Sequence, residues 1–113
     1  MITMSVFIET LLRDNPGFCP DPEDVNDGFS YVIANDFARY IIDSELWRET
    51  DKTRSALQSL ENLAAKNDPE IPDLILECLE TLFENPETNT KSFKAQFGPN
   101  LQVLLAKSFP HKL

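Results

Sequence analysis

The chain has 113 residues, 42% of them hydrophobic and eight of them Phe, and sets 10 basic against 19 acidic residues for a formal net charge of −9. This length and apolar content suit one domain that buries well over half of its unfolded surface, and they exclude disorder. The charge excludes recognition of nucleic-acid phosphates or of an anionic membrane through a basic patch; three Gly and little alternating apolar–polar pattern exclude an all-β fold.

Residues 3–13 predict a first helix, with Val6, Leu11 and Leu12 inward, Phe7 and Ile8 beside them, and Asn15-Pro16-Gly17 as the stop. The opening residues lack a basic n-region and carry Glu9 within the apolar stretch, which argues against a signal peptide. No apolar run is of membrane length, so the cytoplasm is the expected compartment. Residues 14–27 read as a turn-rich loop in which three prolines are expected to prevent a helix. The loop is acidic, through Asp14, Asp21, Glu23, Asp24 and Asp27, which raises the question of calcium. With Gly28 at the sixth position of an EF-hand loop, the third position is Val25 and the twelfth Ala34, so the motif fails and no metal is expected.

Residues 28–48 predict a second helix capped by Asn26 or Asp27. Phe29, Ile33, Phe37, Tyr40 and Trp47 occupy one side, while Tyr31, Ala34, Ala38, Ile41 and Ile42 cover much of the other. A helix apolar nearly all round is expected between two neighbours. Asp36 falls in the middle of the aromatic side, and a buried carboxylate needs a partner. Arg39, one turn on, or Arg48 from the helix end would supply a structural ion pair, or Asp36 would cap a neighbouring helix; a site carboxylate is the alternative. Residues 51–66 predict a third helix with an Ala56, Leu57, Leu60, Leu63, Ala64 stripe, leaving Gln58, Glu61, Asn62 and Lys66 to water. Short linkers on either side predict that the second, third and fourth helices stack in order.

The stretch Pro69–Glu84, PEIPDLILECLETLFE, predicts the central helix. Ile71, Leu74, Ile75, Cys78, Leu79 and Leu82 share one face, with Phe83 at its flank. Either Asp68 caps it with Pro69 first, or the regular helix starts nearer Pro72; Pro86 forbids continuation. Asp73, Glu77, Glu80 and Glu84 form a single acidic row without a Lys or Arg in the helix to offset it. Two readings follow: a solvated face with bases supplied by a neighbouring element, or a ridge that meets a basic protein surface. Beyond it, residues 91–97 predict a short helix capped by Thr90, and Pro99 opens a last helix through Lys107. The segment 88–113 holds four lysines and no acid, so it is the internal candidate for docking on the row.

The two cysteines form no framework: Cys78 is expected as a reduced core residue and Cys19 as a loop residue. His111 is the one histidine, and there is no CxxC, phosphate-binding Gly loop or nucleophile elbow, so neither an enzyme nor a cofactor is expected.

With its central LECLETLFEN and its later FGPNLQVLL, the chain resembles small, acidic, all-helical bacterial proteins of uncharacterised families. Some of these lie beside secreted toxin genes and are taken to be immunity proteins. The resemblance implies a protein that binds and blocks one partner; it carries no diagnostic motif from which functional residues transfer.

The expected fold is therefore all-α: a single domain, residues 1–113, of five or six helices packed as antiparallel pairs, a helical bundle or short α-solenoid-like stack. The expected function is a non-enzymatic binding module of the toxin-neutralising type, with Asp73, Glu77, Glu80 and Glu84, then Asp24 and Asp27, covering a basic partner surface. The alternatives are a structural or regulatory homodimer joined through Trp47, and a small-ligand binder or enzyme centred on Asp36 with Arg39.

Overall fold

Helix boundaries follow from capping chemistry in a computed structural model that describes residues 5–48 and 50–110, with the backbone alone at Trp47 and Thr50. Helix α1 (Val6–Asp14) opens on Ser5, whose hydroxyl accepts from the Ile8 N–H at 3.2 Å. It closes on Asn15, whose backbone N–H and side-chain amide both donate to the Leu11 carbonyl. The same buried amide donates to Ser59 Oγ at 3.0 Å and so ties α1 to the third long helix.

The acidic loop is not free of helix. Helix α2 (Pro22–Asn26) starts on Asp21, whose carboxylate accepts from the Glu23 N–H at 2.9 Å. Pro22 stands at the first helical position, where its missing N–H costs nothing and its fixed φ favours the turn, so a proline expected to block a helix begins one. Asn26 and Asp27 end α2 rather than capping the next helix. Gly28, at φ +70°, closes it in a Schellman motif: Phe29 N–H donates to the Asp24 carbonyl and Gly28 N–H to that of Val25.

Helix α3 (Ser30–Asp43) follows, shorter than expected because Glu45 adopts a left-handed φ of 53° and the chain continues as a 3₁₀ turn, Leu46–Arg48. The buried Thr53 hydroxyl donates to the Leu46 carbonyl and fastens that turn to α4 (Thr50–Ala64). Helix α5 (Ile71–Phe83) begins after a looser turn at Asp68, with Pro72 in its first turn. The buried Thr88 hydroxyl returns to the Leu82 carbonyl beyond its end. Thr90 caps α6 (Lys91–Lys94), accepting from the Phe93 N–H at 3.1 Å, and α7 runs Pro99–Ser108. The described residues form seven α-helices and no strand, an all-α architecture with one helix more than the upper expectation, α2.

The core runs through every long helix. In α5, Ile71, Leu74, Ile75, Cys78, Leu79, Leu82 and Phe83 are all buried. At roughly 1.5–3 kcal/mol per large side chain, this burial outweighs the few tenths per like-charge pair that the acidic row costs. Helix α3 makes its most extensive contact with α5, not α4, and α4 packs on α1, α7 and α5. The expected stacking in order therefore fails between α3 and α4, where the 3₁₀ turn contacts both helices. Val6, expected inward, is 45% exposed. The radius of gyration, 13.2 Å, is that of a folded chain of this length.

Glu61 departs most from expectation. It is buried, and it caps a helix 40 residues away. Helix α7 opens on Gly98, which has no capping side chain. The Glu61 carboxylate takes that role: Oε1 accepts from the Asn100 N–H and Nδ2, both at 2.8 Å, and Oε2 from the Leu101 N–H at 2.9 Å. Gly98 is needed beside it, since a Cβ there would lie 2.5 Å from the carboxyl carbon.

Cys78 is fully buried, and burial, with a lesser contribution from Glu77, pushes its thiol up to about 12. Cys19 is exposed. A thiol reagent at neutral pH is expected to label Cys19 alone in the folded chain and Cys78 only after denaturation; mass spectrometry of the labelled native protein reads the difference.

Candidate functional site

The pairing of α3 with α5 leaves their opening turns side by side. Gly28–Val32 and Pro69, Glu70, Asp73 and Leu74 line a cleft of about 640 Å³ between them. The Schellman turn delivers Phe29 to its wall, and the first turn of α3 adds Tyr31 and Val32. These three are 50%, 56% and 43% exposed. The helix sits between neighbours as expected, with α5 as its main contact and α1 and α2 also packed on it, but Tyr31 and Val32 of its opening turn and Phe29 before it stay exposed. Tyr31 and Val32 also border a shallower depression of about 440 Å³, completed by Asn35, Asp36, Arg39 and Glu77.

The α5 carboxylates line the same side. Asp73, Glu80 and Glu84 are exposed and Glu77 is half-buried. Among the described residues none of the four joins an ion pair. Glu77 accepts from Asn35 Nδ2 at 3.5 Å, the longest reach of a hydrogen bond. Among the described residues no lysine of the basic C-terminal segment forms an ion pair with the row, and Lys94 sets its ammonium 5.1 Å from the Phe83 ring centroid.

Asp36 and Arg39 do not form the expected pair. Arg39 Nε donates to Asn35 Oδ1 at 2.8 Å, four residues back, and Asn35 passes the link to Glu77 across the helix interface. Arg48 pairs with Glu45 at 3.4 Å. Asp36 is half-buried, and its carboxyl is raised above the ordinary value by desolvation first, then by Asp24, against a lowering by Arg39, with Asp21 adding to the rise. Asp24 is thus near Asp36, whereas Asp27 is exposed at the end of α2. No group of acids among the described residues has the geometry to hold a metal ion. The Trp47 side chain, on which the homodimer alternative relied, and His111 lie outside the described residues.

A raised carboxyl opposes folding when charged. Its cost is present at neutral pH and fades as pH falls through the folded-state value towards the ordinary 3.8. Asp36→Asn is therefore expected to stabilise the fold at neutral pH, with the gain vanishing below that ordinary value; urea titrations at the two pH values measure it.

Sequence reasoning found the α5 row and missed Phe29, Tyr31 and Val32 as surface groups. The signal available was Asp27-Gly28, a helix stop that separates these residues from the acidic loop and places them at a helix start. Comparison with protein-family models, with curated proteins and with solved structures gives no match. Among the described residues no helix is long and apolar enough to cross a membrane.

Proposed function

We propose that this chain is a non-enzymatic binding protein of the toxin-neutralising type, acting in the cytoplasm by covering a basic surface of a protein partner. The observation that carries this reading is the α5 row: four carboxylates along one side of the central helix, with no cation of the described chain paired to them. An acidic face left unpaired repels itself, and a basic partner relieves that repulsion while its own active surface is occluded. On α2, Asp24 adds charge near Asp36, and Asp27 is exposed at that helix's end. Complementary charge gives fast association that slows as salt rises.

Co-expression with the product of the neighbouring reading frame tests this reading. The wild-type chain is expected to relieve that product's toxicity and to co-purify with it. A chain carrying Asp73→Lys, Glu77→Lys, Glu80→Lys and Glu84→Lys is expected to do neither while keeping its helical spectrum. Equal protection by both chains would sink the proposal.

A further inference from the structure

The cleft at the head of α3 and α5 offers something that a charged face alone does not need: a floor of Leu74 and walls of Phe29, Tyr31 and Val32. Exposed aromatic and branched side chains clustered at a concave site lose unfavourable contact with water when a large apolar side chain enters. Around the cleft and the adjoining depression stand four carboxylates, Glu70, Asp73, Glu77 and Asp36, against one guanidinium, Arg39, already held by Asn35. Along α5, Glu70, Asp73 and Glu77 are spaced three and four residues apart, so they rise by about 4.5 and 6 Å along the axis.

We infer that this cleft takes a basic amphipathic helix of the partner, inserting one large apolar side chain between Phe29, Tyr31 and Leu74 and setting a Lys or Arg about one turn to either side against Asp73 and Glu77. The inference rests on the reading above that the partner is basic, and adds what the partner must present. The three-and-four spacing of the carboxylates matches cations repeating on a single helix face. A second copy of this chain is the poorer occupant, because a symmetric contact would bring the same four carboxylates together. The apolar anchor supplies the binding that charge at an exposed rim does not, since hot spots are large side chains buried at the centre of a contact.

Three synthetic helical peptides of about four turns test this on the whole chain, by titration with amide chemical shifts as readout: one of Lys and Leu in amphipathic register, one with Ser for Leu, one with Glu for Lys. The Lys/Leu peptide is expected to shift the amides of Tyr31, Val32 and Leu74 and to bind about tenfold or more tighter than the Lys/Ser peptide, with no binding of the Glu/Leu peptide. Tyr31→Ser with Val32→Ser, both at exposed positions, is expected to remove that advantage and leave the Lys/Ser affinity unchanged. Equal binding of the Lys/Leu and Lys/Ser peptides, or indifference to the Tyr31/Val32 change, overturns the cleft inference while the charged row stands. Equal binding of the Glu/Leu peptide, or shifts confined to other regions, overturns it as well. A concentration-dependent dimer that the Tyr31/Val32 change dissolves would assign the cleft to self-association instead. If Asp73→Lys with Glu77→Lys leaves both basic peptides bound as before, the charged contact fails, and with it both the proposed function and the cleft inference that rests on it.

Discussion

Replacing Glu61 with Ala is expected to lower the stability of the fold by about 3 kcal/mol, read as a fall in Tm of roughly 10–20 °C. The carboxylate satisfies two backbone N–H groups of α7 and the Asn100 amide, and its residue is 8% exposed. Water cannot easily replace it at Leu101, which is fully buried. Hydrogen bonds to a charged acceptor contribute about 1.5–3 kcal/mol each, and a lost cap alone costs about 1. Glu61→Gln keeps one acceptor oxygen and is expected to lose roughly half as much. Gly98→Ala reaches the same interaction from the other side, because its Cβ would displace the carboxylate. The two changes are therefore expected to be strongly non-additive: with Ala already at position 61, Ala at position 98 costs little. Additive losses in a thermal-denaturation cycle would show that Glu61 does not act through the head of α7.

Charge reversal along α5 is expected to act on binding rather than on stability. Converting Asp73, Glu77, Glu80 and Glu84 to Lys is expected to weaken a basic partner by about a thousandfold, near 4 kcal/mol. The row as lysines repels itself as much as the row as carboxylates, so the fold is little changed. The helix dipole acts in opposite senses at the two ends: Lys at position 73 is unfavourable and Lys at position 84 favourable. Stopped-flow mixing at several ionic strengths provides the diagnostic. Wild-type association is expected to slow with added salt, and the reversed chain to lose that dependence or invert it. A salt dependence that survives reversal would place the electrostatic contact elsewhere, with Asp24 and Asp27 the next residues to change.

What could be read from the residues alone divides along physical lines. Local rules worked where the deciding partner is within a turn or two. The α5 stripe, its proline-marked limits, the Thr90 cap and the Pro99 start all depend on near neighbours, and each is where the spacing puts it. Helix α2 was missed because proline was weighed as a breaker, although at a first position behind Asp21 it is a starter. Glu61 was given to water because its neighbours Gln58 and Asn62 are polar, yet it lies one turn beyond the buried Leu57. Its partner comes from a helix distant in the chain, which no periodicity reports; the one hint was an α7 start, Gly98-Pro99, with no cap of its own. Asp36 and Arg39 show how spacing alone misleads, for Arg39 had two oxygen-bearing side chains within a turn and bonds the amide of Asn35. The exposed Phe29 and Tyr31 were placed on faces expected to meet neighbours, because apolarity on every side usually means neighbours on every side, and Val32 was assigned to neither face.

The reach of Glu61 also affects how the molecule breathes. Amides in the opening turn of a helix have no upstream carbonyl and normally trade their hydrogens with solvent quickly. Those of Asn100 and Leu101 are held by a side chain from α4, so they exchange only when α7 lifts from α4. Two backbone positions thus clock the undocking of the C-terminal helix, and their deuterium uptake separates that local opening from global unfolding.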